Sequence, residues 1–133
     1  MSLATFGTNP VAIRRLECTA VLAASLFVYH QLGFSWLQFA LLFFIPDLSI
    51  VAYRASRELG GLAYNTAHCF LWPVALGIYS WQAGDTALQP IALIWLAHCA
   101  FDRAIGWGLK LPDSFCNTDM GVKTLAIDNQ YLR

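Results

Sequence analysis

The chain has 133 residues, 58% of them hydrophobic and only 12% charged, with eight basic and eight acidic side chains that cancel to a formal net charge of zero. Mean hydropathy is +0.54. Soluble domains carry about a quarter charged residues, so this composition argues against one, and the neutral balance gives no reason to expect nucleic acid as a partner.

The length suits a single domain covering residues 1–133. Arg14 and Arg15 precede the first apolar run, residues 16–32. No small-x-small cleavage site comes after it, and Leu16 and Glu17 do not fit a twin-arginine signal, so a retained helix is expected. Three more apolar runs lie at 35–53, 62–81 and 86–106. Each of the four holds 17–21 residues, against the roughly 20 a helix needs to cross a bilayer. Pro46 and Pro73 fall inside the second and third, where each removes a backbone hydrogen bond and tends to kink the helix. Pro90 lies in the first turn of the fourth, where a proline is tolerated. The remaining tail, 107–133, has mixed polarity and a Pro112–Asp113 turn signal, and reads as a cytoplasmic or interfacial extension.

Short links make sequential helices antiparallel neighbours. The expected fold is therefore all-α, a four-helix transmembrane bundle. The basic residues are Arg14, Arg15, Arg54, Arg57, Arg103, Lys110, Lys123 and Arg133. They gather at the N-terminus, in the second link and at or beyond the end of the fourth run. The positive-inside rule then places both termini in the cytoplasm, with the chain in the inner (plasma) membrane.

Ionisable residues inside hydrocarbon are costly, roughly 2.5–3.5 kcal/mol at a helix centre, and so mark function or tight pairing. At 1.5 Å per residue, Asp47 and His68 fall roughly 9 Å from the cytoplasmic ends of their helices, His98 roughly 12 Å and Asp102 roughly 6 Å. Glu17, Asn65 and Arg103 fall nearer the same surface. His98 and Asp102 share a helix face at i, i+4, as do Tyr64 and His68. Two imidazoles and two carboxylates at one depth suit a divalent metal such as Zn, Fe or Mn, held by Asp47, His68, His98 and Asp102. Glu17 or Asp47 is then a candidate general base, and Tyr64, Asn65 and Arg103 candidates for substrate binding. The same residues also fit a structural polar network, with Asp102 paired to His98, or a haem or chlorin carrier ligated by His68 and His98. Cys18, Cys69, Cys99 and Cys116 form no CxxC pair and read as small buried hydrophobes.

Several segments together resemble one family. They are Phe43-Phe44-Ile45-Pro46-Asp47-Leu48-Ser49, Tyr64-Asn65-Thr66-Ala67-His68, the run from Ile94 through Arg103 that contains His98 and Asp102, Gly106-Trp107-Gly108-Leu109-Lys110, and Arg15-Leu16-Glu17. The resemblance, from about Arg15 to Gly121, is to the small bacterial integral membrane family called domain of unknown function 4260. It implies that Glu17, Asp47, Tyr64, Asn65, His68, His98, Asp102 and Arg103 are signature residues, and it implies no activity. Where the family pattern has Thr-His-Leu-Gly, this chain has Thr118-Asp119-Met120-Gly121, so that Asp119 either stands in as an oxygen donor or the site here is altered.

The functional expectation is a cytoplasm-facing intramembrane site that binds a metal and hydrolyses a lipid-like or membrane-soluble substrate. The alternative is a structural or accessory subunit of a larger membrane complex. Expected partners are the bilayer and either other membrane proteins or further copies of the chain.

Overall fold

Asn9 starts the first helix. Its side chain accepts from the Val11 and Ala12 amides at 3.0 and 3.2 Å, and Pro10 supplies a pre-set φ at the first helical position. In the computed structural model, which describes residues 9–122, this helix (α1) runs Pro10–Gln31. Lys123 and Arg133, part of the charge pattern, and the rest of the tail lie outside the described residues.

The chain is predominantly helical, with α2 at Trp36–Leu42, a 3₁₀ segment at Ile45–Arg54, α3 at Arg57–Ala67, α4 at Leu71–Ala83 and α5 at Leu88–Ala104. The second and third apolar runs are each broken in two. The Pro46 ring would meet the Leu42 carbonyl and disfavours α geometry at Ile45, so α2 stops at Leu42. From Ile45 the backbone winds through an unusually long stretch of 3₁₀ geometry, in which residues three apart eclipse. Asp47, Ile50 and Tyr53 accordingly share the half-buried side, while Leu48 and Val51 are exposed. The second break, at His68–Phe70, lies just before Pro73, whose ring would clash with the Cys69 carbonyl.

α5 is the central helix. It buries Ala92, Ile94, Ala97, His98, Cys99, Ala100 and Asp102, and it packs against both α1 and α4, while α3 packs against the 3₁₀ segment. Arg15 Nε donates to the Ala104 carbonyl at 2.9 Å and ties the start of α1 to the end of α5. At the other end Tyr29, fully buried, donates to the Ser35 carbonyl at 2.7 Å and sits among Phe34, Trp36 and Phe39 with ring centroids 5.2–5.4 Å away.

The tail departs from an all-α reading. Residues Lys110–Leu111, Ser114–Thr118 and Gly121–Val122 form an antiparallel sheet, β1-β2-β3. Pro112 and Asp113 make the first turn, and Gly121 (φ 113°) takes a left-handed conformation beyond the second. The sheet packs on α3. Asn65 clamps it there, donating to the Lys110 carbonyl at 2.9 Å and accepting from the Lys110 amide at 2.7 Å. Gly108 carries no Cβ because one would collide with the Asp119 carboxylate, which accepts from the Leu109 amide at 2.8 Å and from Arg14 at 3.1 Å.

By length and composition, one helical stretch among the described residues is apolar enough to cross a membrane. It is Trp36–Arg54, with mean hydropathy 1.6 and none of its most apolar window buried inside the protein. Large apolar side chains such as Phe27, Leu37, Leu41, Leu62 and Trp81 are more than 60% exposed. Exposed apolar surface on that scale is of the kind that membrane or protein contacts cover.

Candidate metal centre

Three elements converge on one point. The 3₁₀ segment supplies Asp47, the C-terminus of α3 supplies His68, and one face of α5 supplies His98 and Asp102. One ligand atom from each lies within 4.8 Å of every other. The two histidine Nε2 atoms are 3.2 Å apart. His68 Nε2 is 3.4 Å from Asp47 Oδ1 and 3.5 Å from Asp102 Oδ2, and His98 Nε2 is 3.5 and 3.7 Å from the same two oxygens.

These distances are long for a charge-assisted hydrogen-bonded network and leave room for a metal ion. Charge-assisted N–H···O bonds run about 2.7–2.9 Å, and all four His–Asp separations exceed that by half an ångström or more. A tetrahedral ion with ligands at about 2.0–2.1 Å makes ligand–ligand edges of roughly 3.3 Å. The separations from 3.2 to 3.7 Å bracket that edge length.

The tautomer of His68 points the same way. Its Nδ1 lies 2.8 Å from the Tyr64 carbonyl, which only accepts, so Nδ1 carries the proton. In the neutral ring Nε2 is then a bare lone pair facing two carboxylates and another imidazole nitrogen, an arrangement that a cation relieves. Such outer hydrogen bonds orient metal-ligating histidines. His98 Nδ1 is buried and makes no well-formed hydrogen bond among the described residues. Phe43 packs edge-on against this ring at 5.1 Å.

Tyr64 supports the cluster twice. Its ring stacks on His68 at 3.8 Å and 12°, and its hydroxyl donates to Asp102 Oδ2 at 3.2 Å. Tyr64→Phe keeps the stack and removes the hydroxyl, so metal affinity should fall about 10- to 100-fold with little change in folding. Competition against a chelator measures this, and unchanged affinity would show that the hydroxyl does not tune Asp102.

Of the other residues singled out in the sequence, Asn65 holds the sheet and does not reach the cluster. Arg103 donates to the His68 carbonyl at 3.3 Å and lies over the Phe70 ring at 4.3 Å. Glu17 is exposed on α1 and stands outside the four-residue group. Asp119 belongs to the sheet and its tie to Arg14, away from the cluster. Asp47, with 35% of its side chain exposed, is the cluster member open to the outside; the other three are buried. Trp95 donates to the Ala67 carbonyl at 2.6 Å beside it.

The family's profile, described as domain of unknown function 4260, matches residues 11–122. The chain belongs to this family. No curated protein and no solved structure matches it. Membership identifies what the chain is related to and leaves its chemistry to the residues themselves.

Sequence reading noted Lys110 only as a charge marker and as the end of the Gly106–Lys110 family segment, and gave it no place at the site. It is 6% exposed and lies over Phe115, Tyr64 and Trp107. Burial pushes its amine below the usual lysine range, opposed by Cys116, Asp102 and Asp47. The Pro112–Asp113 turn, flanked by residues able to pair as strands, was the available signal.

Proposed function

We propose that this family member is an integral membrane protein whose Asp47, His68, His98 and Asp102 side chains bind one divalent ion, Zn, Fe or Mn, and use it to hydrolyse a lipid-like or membrane-soluble substrate. The observation that carries the metal is the set of near-tetrahedral edge lengths around a histidine whose free nitrogen faces inward. Two carboxylates and two neutral imidazoles total the charge that a divalent ion balances, which matters inside an apolar bundle.

A bound divalent ion lowers the pKa of its water toward neutrality. Asp47, the half-exposed ligand, is placed to take a proton on the side where substrate enters, and Glu17 is a base only if a substrate bridges the distance from α1. Arg103 and Tyr64 flank the cluster. A bilayer is the cover that suits the bare apolar faces of α1, α2 and the 3₁₀ segment. The arrangement of cations supports both termini being cytoplasmic in a four-span inner-membrane topology. In that topology the cluster lies toward the cytoplasmic half.

A haem carrier is less well supported. Two imidazole nitrogens 3.2 Å apart leave no width for a flat macrocycle between them. Service as an accessory subunit of a larger complex draws on the same exposed apolar faces and needs no metal.

Elemental analysis with an absorption spectrum on detergent-purified protein separates these readings. Near one equivalent of Zn, Fe or Mn without a Soret band is the expected result. A colourless protein that stays metal-free after exposure to all three ions would overturn the metal reading and favour the subunit.

A further inference from the structure

A buried lysine that makes no ion pair among the described residues stands near the Asp47, His68, His98 and Asp102 cluster, whose carboxylates act on it through space. Among the described residues the Lys110 ammonium makes no hydrogen bond and no ion pair. It rests on three ring faces instead, at 3.9 Å from Phe115, 4.7 Å from Tyr64 and 5.5 Å from Trp107. Cation–π attraction offsets part of the cost of burying it, yet no acceptor among the described residues meets its three N–H donors. Its position is fixed rather than wandering, because Asn65 grips the Lys110 backbone from both sides. Tyr64 joins it to the cluster: the ring that carries Lys110 also stacks on His68, and its hydroxyl donates to Asp102.

Charge decides what is missing. A divalent ion balances Asp47 and Asp102, and Lys110 is then an excess positive charge in a poorly solvated place. Arg103, the other cation nearby, already donates to the His68 carbonyl and lies on Phe70.

We propose that Lys110, together with the metal cluster, receives an oxyanion group of the substrate, such as a phosphate ester. The proposal rests on the metal reading above and names the substrate class that reading leaves open. The aromatic faces hold the ammonium in place before the anion arrives, so little ordering is required on binding.

Inorganic phosphate titrated calorimetrically into metal-supplemented protein tests it, with metal content read separately on every sample. Wild-type protein should bind phosphate. Lys110→Met should keep its metal and bind phosphate about 10- to 100-fold more weakly, the worth of a charge-assisted hydrogen bond, and Lys110→Arg should restore binding. Equal affinity in wild type and Lys110→Met, or no phosphate binding by the wild type, would overturn the proposal. Where Lys110→Met fails to fold, the wild-type Lys110 ammonium resonance, assigned by its loss in Lys110→Arg, takes its place. A shift on phosphate addition supports the proposal and a fixed resonance overturns it. Loss of metal from wild type with phosphate binding still dependent on Lys110 would remove the metal reading while keeping the anion site. Nanodiscs distinguish two sources of the anion. Displacement of phosphate by phosphatidic acid, but not by phosphatidylcholine, identifies a lipid headgroup; displacement by neither identifies a free phosphate ester.

Discussion

His98→Ala should empty the metal centre. His98 is 1% exposed and would supply one of the two nitrogen ligands of the proposed centre, so its loss leaves one imidazole and two carboxylates around a space that the alanine methyl does not fill. Altering an outer-shell partner alone typically costs about 10- to 100-fold in metal affinity. Removing a ligand should exceed the top of that range, and metal measured per chain after dialysis should fall from near one to a small fraction. Full metal content in the purified variant would show that the ion sits elsewhere.

Gly60→Ala should destabilise the protein even though alanine is the better helix former. The propensity gain is about 1 kcal/mol in an exposed helix interior. At Gly60 a methyl group would collide with the Tyr53 ring, and overpacking of a tight contact costs about 1–3 kcal/mol. The clash wins. It also propagates, since Tyr53 and Asp47 share the same side of the 3₁₀ segment, and pushing that segment off α3 moves a proposed metal ligand. Lower thermal stability in detergent should therefore come with weaker metal binding. Gly61→Ala is the control: a Cβ there meets only the Tyr53 hydroxyl at 3.7 Å, so propensity should prevail and stability hold or rise. A Gly60→Ala protein as stable as the Gly61→Ala protein would mean that the 3₁₀ segment does not bear on α3 as described.

Both outcomes trace to features that differ in how far the sequence reveals them. The helical character of the four apolar runs, the proline positions, and the grouping of Asp47, His68, His98 and Asp102 were legible, because hydropathy, helix period and polar residues in apolar surroundings are local signals. Membership in the family was legible for the same reason, in short contiguous segments. Glu17 looked equivalent by depth, yet depth says nothing of rotation about the helix axis, and α1 turns it to the outside.

Where each run breaks was only half legible. Pro46 and Pro73 announce disturbance, but the ten residues of 3₁₀ geometry from Ile45 and the non-helical turn at His68 depend on packing against α3 and α5. Those breaks aim Asp47 and His68 at the same point. The sheet at 110–122 was signalled by little more than its Pro112–Asp113 turn, for a different reason: its strands are two to five residues long and are held on α3 through the Asn65 clamp. With the sheet came Lys110, whose burial no local pattern encodes. The sequence by itself determined which residues were available for a metal centre and the helices that bear them. The tertiary structure decided which of them meet, because convergence depends on helix rotation, chain breaks and contacts between residues up to 55 positions apart, from Asp47 to Asp102, that no periodicity records.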